Sequence, residues 1–155
     1  MAIPNRIKNH LEQNKIHYSA LAHPSSFTAQ GAAAVMHISG SEVAKTVVVL
    51  AEKEYCLIVL PASYHVKTMR LAQVLGCPIR LASEGEFYSL FPDCELGAMP
   101  PLGELYGLRV YMDESLATGK EIIFNAGTHR DAIRMDYEDF VRLARPTICS
   151  FAAKG

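Results

Sequence analysis

Three places in the chain combine residue types that could do chemistry. The first is Lys45, in the apolar run Ala44-Lys45-Thr46-Val47-Val48-Val49-Leu50. Strand geometry puts residues 45, 47 and 49 on one face, so with Val47 and Val49 turned inward Lys45 stands on that face at the strand's rim. A lysine there can hold an anion, such as a phosphate or a carbonyl oxygen gaining charge; the plain alternative is a side chain snorkelling off a strand end. The second place is Gly97-Ala98-Met99-Pro100-Pro101-Leu102-Gly103. Its prolines remove N–H donors and its glycines permit backbone angles that other residues avoid, so this is a shaped loop and not a helix or strand. Such a loop can aim backbone N–H groups at a developing oxyanion, or it can simply join a helix to a strand. The third is the polar turn Asn125-Ala126-Gly127-Thr128-His129-Arg130-Asp131. His129 could orient a substrate or pass protons near neutral pH, or be an ordinary turn histidine.

Other chemistries have no foothold. There is no GxSxG elbow, no Walker loop, no GxGxxG after a strand and no HExxH pair. The cysteines at 56, 77, 94 and 149 form no CxxC pair, and His23 and His37 are too far apart to share a helical face. The expectation is free thiols, no metal and no cofactor. Cys94 lies between Asp93 and Glu95, which would raise its pKa and blunt it as a nucleophile. A Cys94/His129 dyad is therefore poorly supported, and covalent catalysis is not the natural reading.

The elements that must position these groups are readable from period and punctuation. Ile7 and Leu11 lie four apart after Pro4, giving a short amphipathic helix over residues 4–14. His17–Leu21 is a short strand, and the hydroxyls of residues 25–28 cap a helix over Ala29–Met36. Residues 44–50 and 55–60 form a hairpin of central strands around the polar tip 51–54. A helix over Val66–Leu75 ends at Gly76, followed by a strand at 78–82 and a short helix at 84–90. Further strands fall at Leu108–Met112, Glu121–Phe124 and Ala132–Met135, before a last helix at Tyr137–Ala144. The sum is an α+β chain, one domain over residues 1–155, with a mixed, mostly antiparallel, barrel-like sheet and flanking helices.

Composition bounds the partners. Half the residues are hydrophobic and a fifth are charged, the balance of a folded chain and not a disordered one. No apolar run approaches the ~20 residues of a membrane span, and the start lacks the apolar core of a signal peptide, so the expected location is cytoplasmic. The net charge is −1. A protein gripping long stretches of nucleic acid carries a clear positive surplus, so this one touches a small part of a nucleic acid or borrows affinity from a partner.

Together, Thr28-Ala29-Gln30 opening a helix, Ala44-Lys45-Thr46-Val47-Val48-Val49 on a central strand, the 97–103 loop and Asn125-Ala126-Gly127-Thr128-His129 resemble the YbaK/prolyl-tRNA-synthetase-associated family of aminoacyl-tRNA editing domains. The pieces span most of the chain in order. The resemblance implies a trans-acting aminoacyl-tRNA deacylase, a hydrolase that removes a small amino acid of the alanine or cysteine kind from tRNA, notably tRNA for proline. It implies that Lys45 holds the substrate near the tRNA 3′ end, that backbone amides of Gly97, Ala98 and Met99 face the scissile carbonyl, and that no side-chain nucleophile is needed. It places Gly127, Thr128 and His129 along the pocket; Phe27, Thr28, Thr46, Pro100 and Gly103 are the further candidates for substrate contact. The implied partners are the 3′ end of a mischarged tRNA and a synthetase or elongation factor, with a monomeric protein. The open alternative is the same fold used as a non-catalytic module that binds a tRNA end or a synthetase.

Overall fold

Helix α1 (Asn5–Gln13) starts behind Pro4, whose φ of −56° suits the entry, and buries Ile7 and Leu11 completely. The computed structural model describes residues 2–155. Strand β1 (Tyr18–Ala22) leads to α2 (Ala29–Val35), capped by Thr28, whose hydroxyl accepts the Gly31 N–H at 2.9 Å. The expected hairpin is β2 (Val43–Ala51) and β3 (Glu54–Pro61), paired antiparallel from Ala44↔Pro61 to Ala51↔Glu54.

The chain then departs from the sequence reading. Tyr64–Val66 is a strand, β4, and the helix α3 (Thr68–Leu75) begins after it, not at Val66. Gly76 caps α3, and β5 (Ile79–Leu81) pairs with β2. A capping box of Ser83 and Glu86 opens the short helix α4 (Glu84–Phe87), which passes into a 3-10 turn at Tyr88–Leu90. After the 97–103 loop come β6 (Arg109–Asp113), β7 (Glu121–Thr128), β8 (Asp131–Asp136) and α5 (Tyr137–Ala144). Two more strands, β9 (Thr147–Cys149) and β10 (Ala152–Lys154), finish the chain and were not foreseen. Three residues are too few for an alternating pattern to register, and unlike β5 these strands have no glycine and proline together ahead of them to mark them.

The result is an α+β fold on a mixed sheet in the order β1-β8-β7-β2-β3-β6-β9, with β4 and β10 forming a separate ribbon. Pairings of β2 with β7, β3 with β6 and β6 with β9 are parallel; the others are antiparallel. Strand β2 is covered on both sides. Ala44 and Val48 join the main core under α1 and α5, while Val49 packs with Leu71 of α3 and Phe151. Buried Asp113 anchors the C-terminal segment by accepting the N–H groups of Phe151 and Ala152, each at 2.9 Å.

Candidate active site

The parallel contact between β2 and β7 is brief: Val43↔Ile123 and Ala44↔Phe124. Beyond it β2 stays with β3, and β7 stays with β8 through an irregular register between Asn125 and Thr128. The two strands therefore fork just past Ala44 and Phe124. Irregularities of this kind bend a strand and break its ladder, and they gather beside functional sites. A cavity of about 340 Å³ occupies the fork. Lys45 and Thr46 line it from β2 and Asn125 from β7, with Thr28, Gly97 and Met99 closing over it.

Lys45 is half-buried and makes none of the ion pairs found among the described residues. Partial burial pulls its ammonium below the ordinary lysine range, since a cation loses hydration there without gaining an anion. A negatively charged ligand would relieve that cost. Lys45 shares its strand face with Val47 and Val49, which pack on the α3 side as expected, and stands beyond them at the fork.

The 95–99 loop is held against β7 by two backbone bonds: Gly127 N–H donates to Ala98 O and Glu95 N–H to Gly127 O, both at 2.8 Å. The Ala98 N–H donates to Glu95 O at 3.0 Å. It is therefore spent inside the turn, which corrects its expected place among amides facing a carbonyl. The Gly97 N–H meets only the sulfur of Met99, at 3.2 Å, a weak acceptor that a better one would displace. Among the described residues nothing accepts the Met99 N–H. Of the residues in this loop that line the cavity, Gly97 and Met99 both keep an N–H without a strong acceptor.

Beyond Asn125, the polar turn sits behind the loop instead of along the cavity. Thr128 is buried, donates to Asp131 Oδ2 at 2.6 Å and accepts the Arg130 N–H at 3.1 Å, so it builds the turn. Gly127 has φ +89°, and a Cβ there would come within 2.7 Å of Pro4 Cδ. His129 lies with Nδ1 3.1 Å from Ser26 O and Nε2 2.7 Å from Leu96 O. A neutral ring donates to one of these carbonyls and a protonated ring to both. Both nitrogens face backbone carbonyls, so His129 fastens the 97 loop to the 26 loop. Phe27, 75% exposed, leans on His129 with ring centroids 4.9 Å apart, at the rim and not in the cavity. Pro100 is buried elsewhere, and Gly103 accepts the Leu108 N–H at 2.9 Å in support of β6. None of Phe27, Pro100, Gly103, Gly127, Thr128 and His129 lines the fork.

The dyad alternative fails on geometry. Cys94 Sγ is 3.2 Å from Tyr106 Oη and is not bonded to His129. Burial first, and Asp93 second, push its thiol up to about 11, so desolvation outweighs the flanking charge. Among the described residues no group of three or more His, Cys, Asp or Glu side chains could hold a metal ion.

Residues 23–143 match the aminoacyl-tRNA editing domain. The chain belongs to that family. No curated protein matches it in sequence. Solved structures share the fold: the hypothetical protein APE2540 is 19% identical at a TM-score of 0.86, over 96% of this chain and 99% of that one. A candidate trans-editing enzyme for prolyl tRNA synthetase is 24% identical at 0.84, over 96% of each chain. A candidate signal transduction protein from Marinobacter aquaeolei VT8 is 17% identical at 0.78, over 98% of this chain but 31% of that one. At these identities the likeness speaks for the fold alone.

In this editing domain Asn125, named in the polar turn but not among the candidates for substrate contact, is a further residue of the fork. It is 6% exposed, lines the fork, and its Oδ1 has no donor among the described residues. The available signal was a polar side chain directly after the apolar run Ile122-Ile123-Phe124. Gln30 and Ala62 also line the cavity. Their proximity arises from long-range pairing that no local pattern encodes.

Proposed function

We propose that this editing domain is a trans-acting aminoacyl-tRNA deacylase that removes a small amino acid, alanine or cysteine in kind, from tRNA for proline. The observation that carries the reading is the unpaired, half-buried Lys45 in a cavity that Gly97 and Met99, whose N–H groups lack a strong acceptor, also line. An aminoacyl ester is already activated, so positioning and charge stabilisation suffice without a side-chain nucleophile. Lys45 holds the substrate end of the tRNA by its charge. Water adds to the ester carbonyl carbon, and the oxygen that gains charge is received by backbone N–H groups. The bond to the ribose oxygen then breaks, that oxygen takes the proton given up by water, and a free amino acid leaves. A cavity of about 340 Å³ has room for an aminoacyl group at its ester. Editing is useful because one methylene separates substrates by only ~1–3 kcal/mol in a binding pocket. A synthetase or elongation factor is the fitting source of additional tRNA affinity.

The test is hydrolysis of a panel of mischarged tRNAs, with alanyl- and cysteinyl-tRNA for proline included, at enzyme far below substrate. Many turnovers on one member would name the substrate. Tight binding with no ester loss from any member would overturn the enzyme reading and leave a binding module.

A further inference from the structure

A second and larger cleft, of about 690 Å³, lies on the other side of the 95–99 loop. Glu84, Tyr88, Phe91, Glu95, Leu96 and Met99 line it. Met99 also lines the fork cavity, so one side chain forms a wall common to both spaces. Tyr88 stands 63% exposed on its 3-10 turn, an aromatic face offered to solvent. Among the described residues no lysine or arginine lines the cleft, and two carboxylates do. Glu95 is held in place through one oxygen, which accepts the His129 N–H at 2.9 Å. Glu84 makes no ion pair among the described residues.

These features select the occupant. An apolar cleft edged by carboxylates repels phosphate and receives a flat apolar group carrying N–H donors. Single-stranded nucleic-acid ends are recognised in this manner, with bases stacked on aromatic side chains and read by hydrogen bonds at their edges. We infer that this cleft is the subsite for the terminal adenine of the tRNA, stacked on Tyr88 with its exocyclic amine turned to the Glu84 and Glu95 carboxylates. The inference rests on the deacylase reading, which puts the ester of that same nucleoside in the neighbouring fork. The ribose then lies over Met99, and the phosphate chain runs on away from the two acids.

The test uses uncharged RNA, so that it stands apart from turnover. An acceptor-stem minihelix ending in CCA is compared with one ending in CC for binding to the full chain, by fluorescence titration. The native protein is expected to prefer the CCA end, and Tyr88→Ala to lose about tenfold in affinity for it, since a base stack is worth that much. Tyr88→Phe, which keeps the ring, is expected to restore the preference. Equal affinity of the native protein for the two ends, binding of neither, or an unchanged preference in Tyr88→Ala would overturn the assignment. Tyr88 is largely exposed, so its removal spares the core. If the panel of mischarged tRNAs shows no hydrolysis while the CCA preference persists, the deacylase reading fails and the base subsite stands.

Discussion

At the scale of single residues the account turns on Lys45. Its environment withdraws hydration and supplies no carboxylate, which is the setting of a cation waiting for a ligand. The sign of the consequence follows. With the pKa lowered from the ordinary 10.5, the positive charge is lost at a lower pH than on a free lysine. Binding of an uncharged CCA minihelix is therefore expected to weaken on the alkaline side before pH 10.5, and Lys45→Arg to keep it there. A pH titration of affinity checks this; identical alkaline behaviour in both proteins would contradict it. Lys45, Thr28, Thr46, Gly97 and Met99 all line the fork and were legible as candidates, because strand alternation, capping and loop composition are local signals. Asn125 was legible only as part of the polar turn, because the meeting of β2 and β7 gives it its place in the fork. Pro100, Gly103, Gly127 and Thr128 stand outside the fork for a related reason. Unusual residues reveal that the backbone needs a special shape, not what that shape faces.

At the scale of elements, the site depends on how β7 ends. Ala126 and Gly127 leave the ladder before Thr128 pairs with Asp131, and Gly127 grips the 95–99 loop from behind, while His129 joins that loop to the segment before α2. Gly127 bears the tightest constraint, with a positive φ and Pro4 of the α1 entry against it. Gly127→Ala is expected to cost about 1–3 kcal/mol, from an unfavourable backbone conformation and overpacking together. Urea denaturation would show it as a lower midpoint, and an unchanged midpoint would mean that the turn has room to relax. The hairpin β2–β3 and the helices α1, α2 and α5 were legible in the sequence, each being long enough for its period to show. The strands β4, β9 and β10 were not. Each has three residues and owes its pairing to distant partners.

At the scale of the whole molecule, a net charge of −1 limits the grip on RNA. If only the terminal nucleotides are held, few phosphates are neutralised, and the logarithm of affinity should fall with the logarithm of salt at a slope no steeper than about −2. A slope near about −5 would mean a long backbone contact that this surface is not charged to make. Among the described residues no helix is long and apolar enough to cross a membrane. The family match and the shared fold bring the molecule to the editing domains, and the fork between β2 and β7 gives it a place for chemistry. The most direct test of the central claim is multiple-turnover hydrolysis of alanyl-tRNA for proline by the native protein and by Lys45→Ala, with folding verified by circular dichroism. The account predicts turnover by the native protein and a loss of roughly a hundredfold or more in the variant, comparable to removing an electrostatic stabiliser from other hydrolases. Equal rates in the two folded proteins would remove Lys45 from the mechanism and contradict the account.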